Sequence, residues 1–468
     1  MYIKQLYTGC LSEAAYYIES EGEAAIIDPL RDIDIYLELA NSRNAAIRFI
    51  FETHFHADFV SGHLDLSKAT GAAIVYGPNT ETNFPIYLAK DGEEFKLGKI
   101  TIKALHTPGH TVESTCWLVA DEAGKKTAVF TGDTLFVGDV GRPDLSSGNL
   151  NQEQLASLLY DSLQEKIIPL PDDVIVYPAH GQGSSCGKNL GPETYSTIAD
   201  EKETNYALQP QSRTSFIKAV TDGLSAPPRY FSINARINKE GYDSLNKVLD
   251  AGLKSLSVLE FKEKMQDENI TVLDTREALE FTEGFIPEAI NIGLNGRFAE
   301  WAGSLLSFDH PILLVTEIGK EKESVVRLAR VGFDKMIGYL DGGMEAWKKS
   351  GEPIDMIINV EPDELAMDLP YDSKLRVLDV RRETEFADGH VRGAINLPVN
   401  EMKDPGAMAD FEDNQNVYVH CAGGYRSIIA ASLLKRQGIH NIRNIVGGWS
   451  AIRDQGRIDI VKENSVLN

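Results

Sequence analysis

Ile47-Arg48-Phe49-Ile50-Phe51-Glu52-Thr53-His54-Phe55-His56-Ala57-Asp58 is the stretch on which the reading of this chain turns. Its first half is β-branched and aromatic, the composition of a mostly buried strand. Its second half is an H-x-H-x-D run. In an extended backbone alternate residues point the same way, so His54, His56 and Asp58 are expected on one side of a strand end. Two imidazoles and a carboxylate converging there are the signature of a metal site.

Three more apolar runs end in the same kinds of residue. Leu105-His106-Thr107-Pro108-Gly109-His110 reads as a strand followed by a tight turn that presents His110. Thr127-Ala128-Val129-Phe130 runs into Thr131-Gly132-Asp133-Thr134, and Val174-Ile175-Val176-Tyr177 into Pro178-Ala179-His180-Gly181. Four strand ends therefore carry His/Asp clusters in a chain with only 10 histidines. Upstream, Ala15–Ile18 and Ala24–Asp28 read as short strands, the second stopped by Pro29, and 33–40 as a helix.

With 468 residues the chain is too long for a single core and suggests about three domains. A formal charge of -24 argues against nucleic acid and anionic membrane surfaces as partners. No apolar run reaches the roughly eighteen residues of a membrane span. Met1-Tyr2-Ile3-Lys4 has no basic and apolar leader pattern, so no signal peptide is expected. The four cysteines, Cys10, Cys116, Cys186 and Cys421, are too scattered for a disulfide framework, and a reducing cytoplasm is the expected compartment.

The four clusters together resemble the metallo-β-lactamase superfamily, over roughly residues 1–245. The resemblance implies an αββα sandwich with a metal at one edge of two sheets. Hydrolases of that superfamily usually read H-x-H-x-D-H, the last histidine serving a second metal; here that position is Phe59. A phenyl ring has no lone pair to donate, so one metal on His54, His110 and Asp133 is the expectation. Two imidazoles and one carboxylate with open positions suit one non-haem Fe(II) per chain. This is the arrangement of the persulfide dioxygenase branch, which the first half resembles. His56, Asp58 and His180 are then expected to orient ligands or water. Gly141-Arg142-Pro143-Asp144 also resembles that branch: Arg142 either binds a substrate carboxylate or pairs with Asp144. Cys186 and Lys188, just beyond His180, are substrate-side candidates, Cys186 as a sulfur acceptor and Lys188 as a contact for an anionic thiol carrier. Cys10 and Cys116 adjoin apolar strands and are expected in the core.

Beyond Pro227-Pro228, which end a helical stretch, the chain repeats itself. Val272-Leu273-Asp274-Thr275-Arg276 matches Val377-Leu378-Asp379-Val380-Arg381, Ala289-Ile290-Asn291 matches Ala394-Ile395-Asn396, and Gly342-Gly343 matches Gly447-Gly448, all at an offset of 105 (379−274). Each copy alternates strand and helix patterns, which points to a small α/β domain with a parallel sheet. The second copy carries His420-Cys421-Ala422-Gly423-Gly424-Tyr425-Arg426-Ser427, a strand, a glycine loop and a helix expected from Ser427 to about Gln437. Loop amides and a helix N-terminus stabilise an anion, the setting of a nucleophilic thiolate.

With Asp379, Arg381, Glu385, His390, Gly393 and Asn396, this copy resembles a rhodanese domain. The C-x₄-R spacing of Cys421 and Arg426 implies sulfur transfer; related phosphatases use a longer C-x₅-R loop. In the first copy Cys421 is replaced by Thr316 and Arg426 by Glu321, so that copy is expected to be silent.

The expected organisation is an α/β multidomain chain: 1–245 a metallo-β-lactamase-like persulfide dioxygenase, 255–356 a silent rhodanese-like domain and 357–468 an active one. The expected chemistry is oxidation of a small thiol persulfide by O₂ to sulfite at one Fe(II), coupled through a Cys421 persulfide to thiosulfate. The alternative is a zinc thioester hydrolase resembling glyoxalase II with an appended sulfurtransferase. A third reading is a persulfide-binding or sensing protein without turnover. The thiol carrier and the direction of sulfur flow are not legible in the sequence; a homo-oligomer is compatible with it.

Overall fold

The computed structural model describes residues 1–145, 150–224 and 226–463. Residues 464–468 of the third expected domain lie outside the described residues. The chain divides into two compact units, 1–245 with 329–332, and 246–328 with 333–468. Among the described residues no helix is long and apolar enough to cross a membrane.

The first unit holds two six-stranded sheets. One runs β1 (Tyr2–Thr8), β2 (Glu13–Ser20), β3 (Glu23–Ile27), β4 (Ala46–Phe51), β5 (Ala73–Tyr76) and β6 (Tyr87–Leu88) in spatial order. The other consists of β7 (Glu94–Leu97), β8 (Ile100–His106), β9 (Thr115–Ala120), β10 (Lys126–Gly132), β11 (Ile175–Pro178) and β12 (Ser196–Thr197), again in neighbouring order. Helices α1 (Asp34–Ser42) and α2 (His63–Thr70) cover the first sheet; α3 (Gln152–Ser162), α4 (Ile198–Thr204) and α5 (Arg213–Thr221) cover the second; α6 (Phe231–Glu240) follows.

Strand β2 shows why the expected sandwich forms. Ala14, Tyr16 and Ile18 enter the core between the sheets with Phe51, Trp117 and Phe130, while Ala15 and Tyr17 pack outward with Tyr36 and Ala40 of α1. A strand covered on both faces reads as a continuous apolar run. The Phe51 and Trp117 rings meet at 4.5 Å and those of Tyr16 and Phe130 at 4.8 Å, a dry aromatic seam between the sheets. Ile47 and Ile50, three apart, share the outer layer because the β3–β4 register slips at Arg48.

The second unit contains two five-stranded sheets whose paired strands are all parallel. Continuing the numbering, the first has the order β13 (Ser255–Leu256), β17 (Met336–Leu340), β16 (Ile312–Val315), β14 (Thr271–Asp274), β15 (Ile290–Asn291). The second repeats it with β18 (Ile358–Val360), β23 (Ile442–Ile445), β22 (Asn416–His420), β19 (Leu375–Asp379) and β21 (Ile395–Asn396), beside a small pair, β20 (His390–Val391) with β24 (Ile460–Val461). The 105-residue repeat in sequence is thus a repeat in topology.

Phe51→Ala should destabilise the first unit by about 3–5 kcal/mol, because removing a ring packed on Phe49, Phe95 and Trp117 leaves a cavity. The check is the urea midpoint of that unit's unfolding, which should fall.

Candidate functional site

All four site segments of the first unit follow the C-terminal ends of strands: His54 after β4, His110 after β8, Asp133 after β10 and His180 after β11. Two glycines permit the close approach. Gly132 has φ of +53°, and a Cβ there would lie 2.5 Å from Thr53 Oγ1; a Cβ on Gly141 would lie 2.0 Å from the Asp133 carbonyl oxygen and 2.9 Å from His110 Nδ1.

The ligand atoms of His54, His110 and Asp133 lie within 4.8 Å of one another, all buried. Asp133 Oδ2 is 3.8 Å from His54 Nε2 and 3.4 Å from His110 Nε2. Each imidazole is held by its other nitrogen. Thr53 Oγ1 donates to Asp28 Oδ2 at 2.8 Å, so it accepts the Nδ1–H of His54 at 2.9 Å. His110 Nδ1 donates to the Arg142 carbonyl at 2.9 Å. Both histidines therefore turn an Nε2 lone pair towards Asp133. Burial first, then the neighbouring His56, His110 and His180, push the His54 imidazole well below its ordinary range, so it stays neutral, as a ligand must. Among the described residues neither Asp133 carboxylate oxygen has a hydrogen-bond donor. Two imidazole lone pairs beside a donor-free buried carboxylate are a donor set that fits a divalent cation.

His56 does not join this group. Residues 54–58 form a bent loop instead of extended strand, yet the alternate side chains still converge: the His54 and His56 rings lie 4.3 Å apart, and the ligand atoms of His56, Asp58 and His180 lie within 4.8 Å of one another. His56 Nε2 turns to Asp28 Oδ1 at 3.0 Å and Glu52 Oε2 at 3.6 Å. Burial alone would push this imidazole down, but Asp28, Glu52 and Asp58 carry it up to about 10. Phe59 stacks on the His56 ring at 4.3 Å, fully buried, and Asn238 of α6 donates to the His56 and Phe59 carbonyls at 2.8 Å each. A second group surrounds the other Asp133 oxygen. His180 Nε2 lies 3.5 Å from both Asp58 Oδ2 and Asp133 Oδ1, and Cys186, 1% exposed, lies within 4.8 Å of the Asp133 and His180 ligand atoms. Burial, then Asp58 and Asp133, raise the Cys186 thiol well above its ordinary range.

Arg142 forms the expected pair with Asp144: its guanidinium grips that carboxylate through Nε at 2.6 Å and Nη2 at 2.8 Å. Lys188 Nζ donates to the carbonyls of Ala219 (2.7 Å) and Asp222. Cys116 is buried in β9 as expected, whereas Cys10 sits half-buried in the turn after β1, its sulfur 4.0 Å from the Arg330 guanidinium. Sequence reasoning missed Asp28, Glu52 and Glu13 as members of the site. Asp28 carried one signal, its place at a strand end before proline; Glu13 is fully buried and its carboxyl is raised chiefly by burial.

In the second unit, Cys421 follows β22, and Gly424, at φ +118°, donates its N–H to the Cys421 Sγ at 3.1 Å. The helix begins at Tyr425, two residues before the expected Ser427, because Gly424 already turns the chain. It runs to Arg436, and Gly438 at φ +84° closes it. Arg426 pairs with Glu385 through two bonds of 2.7 and 2.9 Å. In the first repeat the equivalent amide, Gly319 (424−105), donates instead to Glu321 Oε1 at 3.0 Å, beside the buried Thr316.

Residues 8–180 match the Metallo-beta-lactamase superfamily, and residues 257–350 and 361–455 each match the Rhodanese-like domain. The chain is 35% identical over 193 residues to the probable hydroxyacylglutathione hydrolase glo2 of Schizosaccharomyces pombe, covering 41% of this chain and 71% of that one. A hydroxyacylglutathione hydrolase of Francisella philomiragia is 30% identical over 50% of this chain and 92% of its own length. The crystal structure of a metallo-beta-lactamase from Staphylococcus aureus superposes with a TM-score of 0.65 and 31% identity, over 73% of this chain and 98% of that chain. The chain belongs to the metallo-β-lactamase superfamily, and two rhodanese-like domains follow that fold.

Thr53→Val removes the hydroxyl that links Asp28 to His54 Nδ1 while keeping its shape. It should weaken metal affinity about 10–100-fold, measured by competition with a chelator, with the fold unchanged by circular dichroism.

Proposed function

We propose that this protein oxidises a low-molecular-weight thiol persulfide to sulfite with O₂ at a single non-haem Fe(II) site in its first domain. It also moves sulfane sulfur through Cys421 in its last. The observation that carries the reading is the buried Phe59 stacked on His56, at the position where a second metal would need a histidine. What remains complete is the group His54, His110 and Asp133. Bound there, Fe(II) supplies the redox partner that lets dioxygen react with a sulfur substrate. The overall change balances as RSSH + O₂ + H₂O giving RSH, sulfite and two protons; the sulfane sulfur loses four electrons and O₂ gains them.

The chain's own residues do the rest. His54, His110 and Asp133 hold the ion, and Thr53 and the Arg142 carbonyl keep the imidazoles aimed. Asp58 and His180 stand beside Asp133, with His56 behind them on Asp28 and Glu52, ready to orient water or a substrate proton. Of the residues expected near substrate, Cys186 fits best, since it alone borders Asp133 and His180; Arg142 and Lys188 serve as supports, tied to Asp144 and to backbone carbonyls. In the last domain the Cys421 thiolate attacks the outer sulfur of thiosulfate, the S–S bond breaks, and sulfite leaves with the bonding pair. The resulting persulfide passes to a small thiol, or the sequence runs in reverse. Arg426 and the loop amides stabilise the anions. The domains of this reading are 1–245, 255–356 and 357–468, and its setting is the reducing cytoplasm.

The rival reading is a zinc-dependent thioester hydrolase of the glyoxalase II type. The names of its hydroxyacylglutathione hydrolase relatives favour it, as does the grouping of Asp58, His180 and Cys186 around the second Asp133 oxygen. Metal content separates the two. One iron per chain and oxygen uptake with thiol persulfides are expected; two zinc ions with hydrolysis of a glutathione thioester would sink the dioxygenase.

His110→Ala should abolish oxygen uptake and leave thiosulfate:thiol sulfur transfer intact, whereas Cys421→Ser should do the reverse. Sulfur transfer should not return in Thr316→Cys/Cys421→Ser, because Glu321 still occupies the Gly319 amide. Oxygen electrode traces and thiosulfate assays on the three variants decide the matter, and loss of both activities in either single variant would contradict two separate sites.

A further inference from the structure

The first rhodanese-like repeat has no nucleophile, yet it touches the catalytic loop of the second. Tyr425, between Gly424 and Arg426, donates its hydroxyl to the Gly293 carbonyl at 2.7 Å. Its ring lies on the Gly293–Gly296 segment so closely that a Cβ on Gly296, whose φ is +134°, would stand 3.2 Å from it. Two turns along the same helix the Asn291 N–H donates to Ser432 Oγ at 3.1 Å. A second tie approaches from the other side of the loop. Cys421 Sγ lies 3.7 Å from Ser427 Oγ, which is 2.7 Å from Asn444 Oδ1 and 2.9 Å from the Gly424 carbonyl. Asn444 Nδ2 donates to Asn359 Oδ1 at 2.9 Å, Asn359 Nδ2 to Thr282 Oγ1 at 2.8 Å, and Thr282 Oγ1 to the Leu279 carbonyl at 2.6 Å. From Asn444 onward the donors run one way, through Asn359 to Thr282 of the first repeat, and Ser427 joins this chain to the Cys421 sulfur.

These contacts are not inherited from the shared repeat. At the offset of 105, Tyr425 corresponds to Lys320, Gly293 to Pro398 and Gly296 to Glu401. The glycines occur in the silent copy, where the ring needs room, and the tyrosine in the active copy, where the loop needs an anchor. Tyr425 is flanked by the two loop groups that face the chemistry, the Gly424 amide on Cys421 Sγ and the Arg426 guanidinium on Glu385. Fixing Tyr425 therefore fixes both.

We propose that the silent repeat is the positioning element of the Cys421 active site, acting through Tyr425 on Gly293–Gly296 and through Thr282 on the Ser427–Asn444–Asn359 chain. Tyr425 and Thr282 are positioning residues; neither touches the transferred sulfur. The inference rests on the reading of Cys421 as a sulfur carrier.

The test uses the full-length chain, with single-turnover formation of the Cys421 persulfide from thiosulfate, steady-state thiosulfate:thiol transfer, and the rate of Cys421 alkylation by iodoacetamide. Gly296→Ala, which pushes the ring away, should lower persulfide formation about tenfold, and Tyr425→Phe and Thr282→Val a few-fold each, in kcat with the KM for thiosulfate unchanged. Thr282→Ser, which keeps the acceptor, should restore the rate. Melting temperature of Tyr425→Phe and oxygen uptake at the metal site of the first unit should not move. Wild-type rates in Tyr425→Phe and Thr282→Val, whether or not Gly296→Ala folds, would overturn the proposal. A wild type that transfers no sulfur refutes the Cys421 reading instead; the alkylation rates then still decide, because equal rates in all variants overturn the anchoring on their own.

Discussion

A carboxylate sealed from water and given no donor is the constraint on which the first domain depends. Asp133 sits at the end of a central strand with two orphaned oxygens, ringed by imidazoles on one side and by a second carboxylate and a thiol on the other. Such a group is costly to bury unless a cation neutralises it. The surrounding arrangement answers to that demand. Two histidines are locked by their far nitrogens, and a layer of Asp28, Glu52 and His56 lies behind them with its own internal neutralisation. The folded sandwich, by holding four strand ends at one edge, brings these groups together before any ion arrives, so binding does not have to order them.

The parts of this site that were legible in the sequence are those where local chemistry and strand geometry coincide. His54, His110, Asp133 and His180 each follow an apolar run that becomes a strand, and a polar residue at the end of a buried strand has little choice of direction. Where the chain bends, alternation foretold that the side chains converge but not which partners each one takes. Phe55 packs into the outer layer against Tyr76, and His56 is drawn to carboxylates, Asp28 and Glu52, that follow other strand residues. Glu52 was illegible, and Asp28 nearly so, for the same reason: an acidic residue beside a strand looks like a solvent-facing one until its partners from distant segments are known. Arg142 remained open between two fates because nothing local distinguishes an arginine gripping Asp144 from one awaiting a ligand.

The two repeats show the reverse balance. Their parallel sheets were plain from the 105-residue offset, since identical apolar spacing must give identical strand order. The absence of the cysteine and arginine from the first copy was equally plain from Thr316 and Glu321. Hidden until the fold was known was the traffic between copies: Tyr425 and Gly296 are 129 positions apart (425−296), and no periodicity connects them. The start of the catalytic helix was misplaced by two residues because a glycine in the left-handed region, not a capping side chain, begins it.

The Glu321 carboxylate on the Gly319 amide has a consequence for small anions in the neighbourhood. An emptied rhodanese loop with free amides would still be a trap for sulfite or thiosulfate, holding a share of each in a pocket that does nothing with them. By answering its own amide with its own acid, the first copy sets a negative charge where such ligands would bind, which disfavours them. On the proposed reading of Cys421, the duplicated domain would leave the pool of diffusing anion to that one loop.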